Sequence, residues 1–230
     1  ATPVISSNGP RRYQFGSSGV MVKPFEMKIC DPDGNELPEG EKGEMVCKGE
    51  NVMMGYWKNE KSTADTVKDG WLYTGDMGAI KGDLLYVYGR FKSLLIAADG
   101  EKYCPEGIEE AYVSTSKFID HAILHNNQDP YTTLLISPNR EAMKAALAPL
   151  KLSLDSEEGQ RKIIEMVQAD LNEYKKGGKY EGQFPERWLP ATFALLDEPF
   201  TEQNHLINST MKVVRGKVEE HFADRLNAMY

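Results

Sequence analysis

Three side chains in this sequence have the types and settings to handle an anionic, hydroxyl-bearing ligand: Asp76, Arg90 and Lys212. Asp76 closes the run Gly70-Trp71-Leu72-Tyr73-Thr74-Gly75-Asp76. A tight Thr-Gly-Asp turn would hold its carboxylate where two neighbouring hydroxyls, such as those of a ribose, can donate to it together. Arg90 sits in Gly89-Arg90-Phe91-Lys92, and a guanidinium offers several donors to ribose or phosphate oxygens. Lys212 ends Asn208-Ser209-Thr210-Met211-Lys212; a mobile ammonium brought into a water-poor site stabilises negative charge as it gathers on oxygens. Gly100, in the loop from Ala97 to Tyr103, lets backbone come close to a ligand or simply closes a hairpin with Asp99. Each residue also has a plainer reading. Asp76 would be a turn residue after a strand and Arg90 a surface arginine, with Lys212 exposed beside Arg215 and Lys217 at the start of an amphipathic helix.

The elements that must position these residues fall into two kinds. Residues 19 to 89 carry short β-type runs, Phe25 to Ile29, Gly43 to Lys48 and Leu84 to Tyr88, separated by turn chemistry such as Asp31-Pro32-Asp33-Gly34-Asn35 and Lys81-Gly82-Asp83. An antiparallel sheet or partial barrel is predicted there. The character changes after Gly89-Arg90: Leu94-Leu95-Ile96 is a short apolar run, and Pro105-Glu106 opens a helical pattern with Ile108, Ala111, Tyr112 and Thr115 on one side. Strand-like runs follow at His121 to His125, Thr132 to Ser137 and Thr192 to Leu196, with helical periodicity over Arg140 to Leu147 and Glu157 to Tyr174. Val214, Val218, Phe222 and Leu226 lie four apart, so a terminal helix over Met211 to Leu226 is expected. The fold class is α+β: a β-rich part over residues 1–90 and a small α+β domain over residues 93–230, joined at about 90–93.

Composition narrows the function classes. At 230 residues and 40% hydrophobic content, the chain can bury one good core or two small ones. A formal net charge of −8 argues against a nucleic-acid surface, which needs clustered Lys and Arg. No apolar run approaches the roughly 20 residues of a membrane-spanning helix. Cys30, Cys47 and Cys104 are odd in number and scattered, so neither a disulfide framework nor a metal-ligand spacing is available, and a reducing cytoplasm fits. His121 and His125 share one face of a β-like stretch without a third ligand and read as core or surface histidines. The chain starts at Ala1, in what reads as a continuing loop, so it is expected to be an excised piece.

Four segments occur together in a particular order: Gly43-Glu44 with Gly49 and Gly55-Tyr56-Trp57; Gly70 to Asp76; Gly89-Arg90-Phe91-Lys92 running to Asp99-Gly100-Glu101 and Pro105-Glu106-Gly107-Ile108-Glu109; and Asn208 to Lys212. In this order they resemble the C-terminal motif series of the adenylate-forming superfamily, over essentially the whole chain. Gly100-Glu101-Lys102-Tyr103-Cys104-Pro105-Glu106 and Leu196-Asp197-Glu198-Pro199-Phe200-Thr201 are similar to the long-chain acyl-CoA synthetase form, and the stretch from Glu157 to Lys176 fits that branch. Benzoate-, acetate- and luciferase-type enzymes stay open.

The resemblance implies a ligase that uses ATP, a fatty acid and CoA, with residues 1–90 ending a large AMP-binding domain and residues 93–230 forming a mobile one. It makes Asp76 the ribose ligand, Arg90 a second nucleotide contact, Lys92 the hinge, Gly100 part of the loop that serves the thioester-forming step, and Lys212 the catalytic lysine. Ser209-Thr210-Met211 stands where the family usually has Pro-Thr and often Gly before that lysine. The family's Gly/Ser/Thr-rich phosphate loop with its lysine does not occur, since Gly16-Ser17-Ser18-Gly19 lacks the lysine and reads as a turn. That loop and the Thr-Glu pair that helps place Mg2+ are expected upstream, and this chain alone is expected not to make acyl-adenylate. Two alternatives remain: an adenylation enzyme that loads a carrier protein, and a non-catalytic adenylate-binding module. Small-molecule substrates are the expected partners, nucleic acid is not, and peripheral membrane contact of a longer protein stays open.

Overall fold

The structure, a computed structural model, describes residues 4–230, with Lys92 described through its backbone alone. The chain opening expected at Ala1 lies outside the described residues. Two compact units meet in the chain at Ser93 and Leu94.

In the first unit, β1 (Ser6–Ser7), β2 (Gly19–Met21), β3 (Phe25–Cys30), β4 (Gly43–Gly49), β6 (Trp71–Lys81) and β7 (Leu84–Arg90) form an antiparallel sheet in the order β1-β2-β7-β6-β4-β3. Short β5 (Val67–Lys68) adds to β6. Alternation in these runs puts Ile29, Met45 and Leu85 into one apolar cluster. The predicted turns are where the chain reverses, with Gly34 at φ 88 after Asp31, whose carboxylate accepts from the backbone N–H groups of Asp33 and Asn35. One helix went unread in the sequence, α1 (Glu60–Thr66). Its start was legible, because Asn59 accepts from the Ser62 backbone N–H as an N-cap.

The second unit has a small hairpin, β8 (Leu95–Ile96) with β9 (Lys102–Tyr103), and a three-stranded sheet, β10 (Ile119–His125), β11 (Thr133–Pro138) and β12 (Thr192–Leu195). β10 and β11 are antiparallel, while β12 returns parallel to β11 after α3 (Arg140–Leu147) and α4 (Glu157–Asn172). α2 (Glu106–Thr115) follows Pro105, as the missing proline N–H allows, and buries Ile108, Ala111 and Tyr112 in a core with Leu124, Leu134, Ile136, Ile163 and Val167. The other face of the sheet packs Leu135, Ala194, Phe200 and Val218. The observed elements bear out the α+β class.

The expected terminal helix is corrected in three respects. It begins only at Arg215, as α5 (Arg215–His221), and breaks at Phe222 before α6 (Ala223–Asn227). Residues 208–214 form a turn instead, with Met211 at φ 61. The apolar stripe identified Val218, Phe222 and Leu226 as facing the core, where Val213 rather than Val214 joins them, and it could not register that Asn208 offers the backbone a competing set of bonds.

Candidate active-site elements

Asp76 does not end a turn, as its sequence context suggested; it lies midway along the eleven-residue β6. Thr74, Gly75 and Asp76 bulge there, since Glu44 pairs with Met77 and Val46 with Tyr73, with the register shifting between. The bulge is pinned on three sides. The Thr74 hydroxyl donates to the Met45 carbonyl at 2.7 Å and accepts from the Asp76 N–H at 3.1 Å, and the Gly75 N–H donates to Glu44 Oε1 at 2.9 Å. Gly75 takes φ 72, in the left-handed region where a side chain would be strained. Glu44 was noticed only as part of a Gly-Glu pair, and its hold on the bulge spans 31 residues, beyond any local signal.

Across the sheet, Asp76 is the register partner of Arg90, and Arg90 Nη1 stands 3.2 Å from Asp76 Oδ1. Arg90 is 60% and Asp76 38% exposed. An ion pair this open contributes at most about 1 kcal/mol to stability. Its chemical capacity is larger: a carboxylate with free lone pairs and a guanidinium with free N–H groups stand side by side on a fixed backbone, able to accept from hydroxyls and donate to oxygens of one ligand. Directly after Arg90, a single 3-10 turn over Phe91–Ser93 carries Lys92 and leads to the second unit.

In the second unit, Gly100 lies at the tip of the β8–β9 hairpin with φ 85 and open space where a Cβ would sit. Ala97 N–H to the Glu101 carbonyl at 2.9 Å, Gly100 N–H to the Ala97 carbonyl at 2.8 Å and Glu101 N–H to Asp99 Oδ1 at 2.9 Å close the loop.

Lys212 is exposed and sits in a loop rather than at a helix start. Asn208 builds that loop: its Oδ1 accepts from the backbone N–H of Thr210 and of Lys212, both at 3.0 Å, and from the Thr210 hydroxyl at 2.8 Å. A bridge between Ile207 and Val213 closes its base. Arg215, three residues on, anchors it from below. The Arg215 guanidinium donates to both Glu109 carboxylate oxygens at 2.6 Å and to the Leu124 carbonyl at 2.8 Å, while the Leu124 N–H donates to Glu109 Oε1 at 2.7 Å. Burial pushes the Glu109 carboxyl above its ordinary value, against the pull of Arg215 and the Leu124 amide. No local signal points to this pair, whose members are 106 residues apart.

The sequence-predicted residues thus divide: Asp76 and Arg90 come together in the first unit, while Lys212 and Gly100 lie on separate loops of the second. His121 packs against the Phe200 ring at 5.4 Å, and burial pushes its pKa down, with Asp120 opposing. Among the described residues, no group of three or more His, Cys, Asp or Glu could hold a metal ion, and no helix is long and apolar enough to cross a membrane.

A family model described as AMP-binding enzyme matches residues 1–57. Over its whole length the chain is 30% identical to a protein named probable acyl-activating enzyme 16, chloroplastic, of Arabidopsis thaliana, covering 33% of it. It is 29% identical, over 93% of its length, to the long-chain-fatty-acid–CoA ligase FadD15 of Mycobacterium tuberculosis, covering 36% of that protein. Among solved structures, the adenylation domain of a carboxylate reductase from Mycobacterium chelonae superposes over 95% of this chain and 34% of that one, with a TM-score of 0.72 and 26% identity. The resemblance to adenylate-forming acyl-CoA synthetases is borne out as similarity to these proteins, and the chain spans about a third of the length of the relatives it matches.

Proposed function

We propose that this chain is the C-terminal portion of an ATP-dependent long-chain fatty acid–CoA ligase, contributing the end of an AMP-binding domain and a mobile C-terminal domain. The observation that carries the reading is the Asp76–Arg90 pair, fixed at 3.2 Å by facing strands and open to ligand. Its low value to stability leaves ligand binding as the better reason for a pinned bulge, and the similarity to AMP-binding enzymes supports a nucleotide as that ligand. Asp76 accepts the two ribose hydroxyls of the nucleotide, and Arg90 donates to ribose or phosphate oxygens.

Lys212 acts in the first half-reaction. The fatty acid carboxylate attacks the α-phosphorus of ATP, a new P–O bond forms, and the bond to pyrophosphate breaks. Negative charge gathers on the non-bridging oxygens, and the Lys212 ammonium, at the end of an exposed loop, stabilises it. Losing such a contact typically costs on the order of 3 kcal/mol of transition-state stabilisation. Backbone rotation at Lys92, in the 3-10 turn between the units, then exchanges Lys212 for the Gly100 loop. The CoA thiol attacks the acyl carbonyl, AMP departs with the C–O bond pair, and the thiol proton passes to solvent. Positioning of the thiol is what this step asks of the loop. Magnesium accompanying the triphosphate would take its ligands from residues outside this chain, and cytoplasm is the compartment that the scattered cysteines favour.

The test is substrate-resolved. The full-length protein should release pyrophosphate from ATP with palmitate and form palmitoyl-CoA, while residues 1–230 alone should do neither. Substituting acyl carrier protein for CoA decides the acceptor, since thioester formed on the carrier but not on CoA would overturn the CoA assignment.

A further inference from the structure

We infer that Glu101, Arg187 and Trp188 form a clamp that positions the Gly100 loop for the thioester-forming step. The inference rests on the proposed role of that loop and adds the residues that hold it. Glu101 is the residue after Gly100, and its carboxylate accepts from Arg187 Nε at 2.6 Å, Arg187 Nη2 at 2.7 Å and Trp188 Nε1 at 2.9 Å. Trp188 also stacks on Tyr103, at the other end of the loop, with ring centroids 5.2 Å apart and planes within 8°. Two points on one short hairpin are therefore gripped by two successive residues that lie 86 and 87 positions away.

The gripping segment is itself fixed. It follows α4, just past which Tyr174 donates to the Ala111 carbonyl at 3.0 Å and stacks on Tyr180 at 4.8 Å, and Leu189 beyond the clamp is buried. Arg187 and Trp188 occupy a 3-10 turn, Glu186–Trp188, entered through Pro185. Tyr103 is anchored in turn by a 2.5 Å hydrogen bond between its hydroxyl and that of Thr132 on the edge of β11.

The Glu101–Arg187 ion pair is not there for stability. Arg187 is 60% and Glu101 31% exposed, and an ion pair at such a surface contributes little to stability. Bidentate geometry instead supplies direction, fixing where the loop backbone stands relative to the core. A thiol that must reach an acyl carbonyl at bonding distance is sensitive to displacement of its guide: a shift of about 1 Å can cost roughly a hundredfold in rate.

The experiment compares both half-reactions in the full-length enzyme. Arg187→Ala should slow thioester formation from supplied acyl-AMP and CoA by about tenfold or more, with pyrophosphate release within about twofold of wild type and Tm unchanged. Arg187→Lys should recover part of the loss, and the exchange Glu101→Arg with Arg187→Glu should recover more than either single substitution. Amide hydrogen exchange at Ala97, Gly100 and Glu101 should rise in Arg187→Ala and return in the exchanged pair. Parallel loss of both half-reactions together with Tm would make the contact a structural one and overturn the clamp, as would faster amide exchange with an unchanged thioester rate. A wild-type protein that forms no acyl-adenylate would instead overturn the function on which the clamp rests.

Discussion

The buried Glu109–Arg215 pair gives the most quantitative expectation. Glu109→Ala removes an acceptor of three N–H bonds at 2.6 to 2.7 Å and leaves the Arg215 guanidinium, 16% exposed, with the Leu124 carbonyl as its one partner among the described residues. An uncompensated buried charge of this kind costs about 3–5 kcal/mol, a large part of the roughly 5–15 kcal/mol that holds a domain folded. For a unit of this size the loss lowers Tm by roughly 10–20 °C. The pair joins α2 to the first residue of α5, just after the Lys212 loop, so the same change should loosen that loop. Differential scanning calorimetry of Glu109→Ala, Arg215→Met and Glu109→Met with Arg215→Met reads the cost directly. The doubly apolar variant should recover most of the loss, because no charge is then stranded. A single substitution costing under about 1 kcal/mol, or a double variant as unstable as the sum of the singles, would refute the reasoning.

Two further expectations concern the second unit. The Tyr112 hydroxyl is buried with no hydrogen-bond partner among the described residues, so Tyr112→Phe should leave stability unchanged or raise it by up to about 1 kcal/mol by chemical denaturation. Burial holds His121 below its ordinary value of 6.5, which means the unfolded chain takes up its proton first and stability falls as pH drops below about 6.5. His121→Gln should flatten that acid limb of a Tm-against-pH curve; an identical slope in both proteins would contradict the assignment.

Much of the fold was legible because alternation, turn residues and helical stripes are local. Asp31 to Asn35, Pro105-Glu106 and the Ile108, Ala111, Tyr112 face all report within one turn or one hairpin. What escaped was either competition or distance. Thr-Gly-Asp reads as a turn on its own, yet β4 on one side and β7 on the other carry the strand through it as a bulge. Asn208 replaces the first turn of the expected terminal helix with side-chain-to-backbone bonds. The candidate site residues Asp76, Arg90, Gly100 and Lys212 stood out in the sequence by residue type, whereas the residues that hold them, Glu44, Glu109, Arg215, Glu101 and Arg187, find their partners dozens of positions away, where no periodicity reaches.

Separating the two half-reactions tests the central claim most directly. In the full-length protein, Lys212→Ala should lose adenylation, seen as pyrophosphate release from ATP and palmitate, by on the order of a hundredfold or more, while converting supplied palmitoyl-AMP and CoA to thioester at a rate close to wild type. Lys92→Pro should show the opposite bias, with thioester formation the more damaged step. Equal loss of both steps in both variants would contradict an account in which one loop serves adenylation, another serves thioester formation, and the turn between the units exchanges them.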